Sequence, residues 1–137
     1  MFFKKDNEKE KYFFVKICAL LIHAAKIDEN FTESEEEIIK KTIKEIGLED
    51  DKILKTFEEA KTIEENSHQI LDFTKEVKTM SEKDKTKIIE ALWSIIYSNR
   101  EADIYETNLM RRLAGLLYID SKTMGDIKER VKKKYSE

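Results

Sequence analysis

The sequence predicts an all-α protein, a compact bundle of about seven helices in one domain. Three observations predict it. Proline is absent and glycine occurs only three times in 137 residues, so little interrupts a helix and little serves the tight turns of a β-rich fold. Charged and hydrophobic residues each make up 40% of the chain, the balance of amphipathic helices laced with surface ion pairs. Apolar residues also recur at three- and four-residue steps along nearly the whole length. A chain of this size can bury one real core.

Residues 1–11 read as a charged, partly disordered N-terminal segment, and 12–137 as the helical domain. The first helix is expected over 9–27. Phe13, Phe14, Ile17, Leu20, Leu21, Ala24 and Ala25 form its stripe, and Val15, Ala19 and Ile22 fill the opposite arc. A helix apolar nearly all round belongs in the middle of a bundle. A polar hinge follows, from Asp28 to Glu35. Its end, Thr32-Glu33-Ser34-Glu35, is a capping box: Thr32 can accept from the amide of Glu35, and the Glu35 carboxylate can reach back to that of Thr32. The second helix carries Ile38, Ile39, Thr42, Ile43 and Ile46 inward and stops at Gly47.

Asp50 or Asp51 is expected to cap a third helix over roughly 51–65, with Ile53, Leu54, Phe57 and Ala60 inward. Ser67 is expected to cap a short fourth, with Ile70, Leu71, Phe73, Thr74 and Val77 as its stripe. Ser81 caps the fifth, which runs to about Ser98 and is again apolar nearly all round from Ile88 to Ile96. A second hinge, Asn99 to Glu106, repeats the capping logic with Asp103 as the cap. The sixth helix carries Leu109, Met110, Leu113, Ala114 and Leu117. Asp120 or Ser121 caps a seventh, with Met124, Ile127 and Val131 inward.

The two hinges lie at an offset of 71 residues, and the pattern around them repeats. Ile17 falls on Ile88, Leu21 on Leu92, Asp28 on Asn99, Thr32 on Asp103 and Glu35 on Glu106. Lys40-Lys41 falls on Arg111-Arg112. The repeat predicts two helix–hinge–helix units about a pseudo-two-fold axis, joined by helices three and four.

The residues of the two hinges carry a family resemblance. Lys26-Ile27-Asp28-Glu29 through Glu35 resembles the helix-ending Ala-Asp-Gly tripeptide, with a glutamate seven residues after the aspartate, that marks the TerB family. The second copy, from Ala91 through Trp93, Asn99 and Glu106 to the Arg111-Arg112 pair and Leu116-Leu117, is the more specific match. Asp72-Phe73-Thr74 is similar to the short stand-alone members. The chain thus resembles tellurite resistance protein B and the N-terminal domain of the DjlA co-chaperone over roughly residues 12–130. Two departures stand out. Glu29 and Arg100 replace the family glycine, and Asn99 replaces the second aspartate.

Two readings of the hinges follow. In the first, Asp28 and Asn99 accept loop amides while Glu35 and Glu106 complete capping boxes. In the second, which the resemblance implies, the hinges hold a divalent cation such as calcium or magnesium. The first offers Asp28, Asn30, Thr32 and Glu35, and the second Asn99, Asp103 and Glu106, as hard oxygen donors. The first hinge begins like a calcium loop, but Glu33 stands where that loop needs glycine and Ile39 where it needs glutamate.

No catalytic constellation appears, so no enzyme is expected. His23, His68 and Cys18 lack zinc-ligand spacing, and Cys18 reads as a buried hydrophobe. A net charge of −3 gives no reason to expect nucleic acid. The basic run Lys128, Arg130, Lys132, Lys133 and Lys134 reads as a solvated helix end. One cysteine cannot form an intramolecular disulfide and suits a reducing compartment. The apolar stretch Tyr12 to Ala25, broken by Lys16 and His23, is too short to span a bilayer. The leading Met1-Phe2-Phe3 is too short for a signal-peptide core, although Phe2 and Phe3 beside lysines can touch a membrane surface. These features give the expectation of a cytoplasmic, non-enzymatic interaction or sensing domain in a stress-response or envelope-associated system. Its partner is a protein or a second copy of itself. The alternative is a metal-free structural adaptor or homodimer.

Overall fold

The computed structural model describes residues 2–26, 31–67, 70–98 and 104–135, with side chains described from residue 11 in the first helix and from residue 107 in the sixth. These residues form α1 (Phe2–Ala25), α2 (Glu33–Ile46), α3 (Asp50–Glu65), α4 (Leu71–Lys78), α5 (Glu82–Tyr97), α6 (Ile104–Leu116) and α7 (Ser121–Tyr135). No strand occurs among them.

The two helices that are apolar all round are the centre of the bundle. α1 packs against α2, α3, α4 and α5, and α5 also packs against α2 and α7. From Phe14 to Ala25, α1 is buried except at Lys16 and His23. α5 buries Ile88, Ile89, Ala91, Leu92, Trp93, Ile95 and Ile96. α2, α3, α4 and α7 each bury a single face, because polar residues occupy their remaining arc.

Several boundaries differ from expectation. α1 begins at Phe2 and ends at Ala25 where 9–27 is expected; Ile27 lies outside the described residues. α3 starts at Asp50 itself, and its N-cap is Glu49, which makes no side-chain cap bond. Ser67 does not cap α4, whose N-cap is Ile70; the Ser67 hydroxyl donates to Asp72 instead. Leu54 is not inward but 63% exposed, and Leu71 is exposed as well. The reason for Leu54 is angular. The buried face of α3 follows Ile53, Phe57, Ala60 and Glu64, and a residue adjacent to Ile53 points about 100° away from it.

Other ends form as expected. Ser81 accepts from the Asp84 N–H at 3.2 Å. Gly47 closes α2 at φ 135°, donating to the carbonyls of Ile43 and Lys44, while the Leu48 N–H also bonds Ile43. That φ favours glycine because a Cβ clashes there. α6 ends in the same way at the 71-residue offset. Tyr118 adopts φ 57°, its N–H donates to Gly115, and the Ile119 N–H donates to Ala114. Burial follows the offset too. Ile17 and Ile88, Leu21 and Leu92, Ile39 and Met110, and Thr42 and Leu113 are all buried.

Asp120 precedes α7, and its Oδ1 accepts the Thr123 N–H at 2.6 Å. Bonding from the Thr123 side chain, and then from its backbone, holds the Asp120 carboxyl below the ordinary carboxylate range. The folded state therefore binds this proton less readily than the unfolded chain. Its stabilising contribution is complete above the unfolded value and disappears as pH falls through the lower, folded value. Asp120→Asn should keep a cap acceptor yet flatten the acid limb of a stability-versus-pH curve, as read by urea melts at stepped pH. An unchanged limb would show that Asp120 carries none of the acid dependence.

Candidate functional site

The first hinge is the best-defined candidate, because both of its described flanks are fastened. On the C-terminal side the capping box forms. Glu35 Oε1 accepts the Thr32 N–H at 2.9 Å and the Thr32 hydroxyl at 2.9 Å, and Thr32 Oγ1 accepts the Glu35 N–H at 3.2 Å. Glu35 is only 1% exposed. A carboxylate this deep is stable because it lies at the positive end of α2 and accepts charge-assisted hydrogen bonds.

Both flanks are also tied to α3. At the N-terminal end, Lys26 Nζ reaches Glu64 Oε2 at 2.7 Å, and His23 Nδ1 lies 3.4 Å from Glu64 Oε1. At the C-terminal end, the Phe31 ring stacks on Phe57, with centroids 6.3 Å apart. Lys40 and Lys61 lie over the Phe57 ring at 5.1 and 5.7 Å. Residues 26 and 31 are thus anchored on one helix.

Glu64 and Phe31 are the site residues that sequence reasoning missed. Glu64 left a signal: it continues the inward spacing Ile53, Phe57, Ala60 as a charge on an apolar stripe. Such a charge needs a partner when buried. Of the predicted oxygen donors at this hinge, the structure joins Thr32 and Glu35 directly. Asp28 and Asn30 lie outside the described residues.

At the second hinge, Asn99 and Asp103 lie outside the described residues. Glu106 falls within α6 and its side chain is likewise outside them. What is described there is its support. Trp93 stacks on Tyr97 with centroids 6.0 Å apart, and Lys128 of α7 lies over the indole at 5.4 Å. Burial, and then the nearby Glu129 carboxylate, raise the Tyr97 hydroxyl above its ordinary value. Lys85, another buried charge, donates to the Leu117 carbonyl at 3.1 Å and so caps the end of α6.

Cys18 is fully buried and unpaired. Burial pushes its thiol far up, with the nearby Lys40 opposing only weakly. That is the opposite of what a nucleophilic thiol needs. No group of three or more His, Cys, Asp or Glu placed to hold a metal occurs among the described residues. No helix among them is long and apolar enough to cross a membrane.

A family model, Tellurite resistance protein TerB, matches residues 14–129 of the chain. No curated protein and no solved structure matches it.

Proposed function

Because the chain belongs to the TerB family, we propose that it serves as a cytoplasmic interaction or sensing module in a stress-response or envelope-associated system, without a reaction of its own. The two helix–hinge–helix units, which we read as related by a pseudo-two-fold, present surfaces to a protein partner. The family match carries this reading. Exposed apolar surface supports it: Leu54 is 63% exposed and, with Ile53, edges a shallow groove beside Lys40, Lys41 and Lys44. A leucine set among lysines suits a partner with acidic and apolar side chains.

The proposal has an ion-dependent element at the first hinge. A calcium or magnesium ion there would take Asp28 and Asn30 as protein donors, with Thr32 and Glu35 nearby. Binding is weak in this reading, since Thr32 and Glu35 already exchange the cap hydrogen bonds. The second hinge is the poorer donor set, because Arg100 brings a positive charge beside Asn99, Asp103 and Glu106.

Two measurements test these elements separately. Millimolar calcium should raise the melting temperature of the wild type over its value in EDTA, by mass action on the native state, and leave Asp28→Ala unmoved. Equal melting in calcium and EDTA would remove the ion and leave the interaction module. For the module, affinity capture from source-cell lysate should enrich discrete proteins with the wild type and lose them with Leu54→Glu, at equal thermal stability. Identical recovery by both chains would exclude this groove. A stable dimer on light scattering, with no captured protein, would favour the structural homodimer instead.

A further inference from the structure

A second cleft lies on the other side of α3, away from both hinges. It opens between α1, the Gly47 turn and the first turns of α3, with a volume of about 320 Å³, at the low end for small-molecule sites. Phe14 and Leu48 supply apolar lining, while Lys11, Lys52 and Lys55 bring three positive charges. Glu49 is the acidic residue of that lining. Lys11 pairs with Glu59 at 3.1 Å, and Lys52 with Glu49 at 3.7 Å. Lys55 has no ion-pair partner among the described residues. Glu49 places no side chain on the first-turn amides of α3, but Asp50 and Asp51 in that turn offset the positive end of its dipole, so the lysines carry the field of the cleft.

The decisive group is Thr56. It lines the cleft yet is only 3% exposed. Its hydroxyl has no hydrogen-bond partner among the described residues, whereas Thr42, Thr62, Thr74, Thr79 and Thr86 each bond a carbonyl of their own helix. The hydroxyl is not sealed off from solvent, so it is free to donate to a group bound in the cleft, next to the exposed ammonium of Lys55.

We propose that this cleft binds a small organic anion, a phosphate or carboxylate group on a short apolar body. The anionic oxygens accept from Lys55 Nζ and Thr56 Oγ1, and the apolar body lies against Phe14 and Leu48. Lys11 and Lys52 add charge at the rim, and Glu49 limits the net charge the cleft will take. This site stands independently of the hinge and of any protein partner.

Amide-resolved NMR titration of the full chain tests it, with phenyl phosphate, benzoate and inorganic phosphate as probes and sodium chloride at matched ionic strength as control. One or both aromatic anions should give saturable shifts centred on Lys11, Leu48 and Thr56, and the tighter of the two identifies the head group. Inorganic phosphate should bind more weakly because it leaves the apolar lining uncovered. Lys55→Ala should weaken binding by about tenfold, the loss of one charge-assisted hydrogen bond. Thr56→Val, which matches the shape and removes only an unpaired hydroxyl, should weaken it severalfold without lowering stability. Glu49→Gln should tighten it. Non-saturating shifts spread over all lysines alike, matched by sodium chloride, would overturn the site. So would unchanged affinity in Lys55→Ala, a surface substitution that leaves the fold intact.

Discussion

Phe57→Ala should be the most damaging single substitution at the hinge, costing about 3–5 kcal/mol of folding stability. Phe57 is fully buried in the middle of α3. Removing its ring deletes the burial of a large apolar surface and leaves a cavity that two helices and a hinge cannot collapse to fill. It also removes the platform for Phe31 and for the two lysines over its face. The loss should appear in urea melts as a lower midpoint at unchanged slope. Phe57→Leu keeps most of the volume and should cost about 1–2 kcal/mol. If the alanine variant lost less than the leucine variant should, the ring would not be the support it is taken to be here.

Glu35→Ala should cost about 2–3 kcal/mol, more than an ordinary exposed cap. The carboxylate accepts both the backbone N–H and the hydroxyl of Thr32, in surroundings that leave Glu35 only 1% exposed. Alanine strands both donors where water reaches them poorly. Glu35→Gln keeps an acceptor oxygen and gives up only the charge, so about half the loss should return. The cost should be the same in calcium and in EDTA, because the cap acts without an ion. A loss seen only in calcium would instead assign Glu35 to cation binding.

The two substitutions also separate what sequence could and could not convey. Phe57 was legible as core because periodicity marks the face of a helix that turns inward. Thr32 and Glu35 were legible as a cap because their interaction is local, three residues apart on one backbone. The Gly47 stop was legible for the same reason. Glu64 and Lys85 were not named, although each stands as a charge on an apolar stripe. Their partners lie far along the chain, Glu64 against Lys26 and Lys85 against the Leu117 carbonyl. Nothing local states which buried charge will meet which distant group. Leu54 failed in the opposite direction, being read as inward beside Ile53 when the helix turns it to solvent.

By itself, then, the amino-acid sequence determined an all-α protein and its family. It also determined the order of its helices, the two helices at its centre, the caps that start α2, α5 and α7, and the glycine that stops α2. These are properties of neighbours three, four or seven residues apart, and backbone geometry turns such spacing directly into structure. Only the tertiary structure decided that both flanks of the first hinge are clamped to α3, that Lys85 closes the distant end of α6, and that the Thr56 hydroxyl faces a basic cleft. Those depend on how helices cross, and crossing is settled by the packing of whole faces, to which every residue of the core contributes and which no short stretch records.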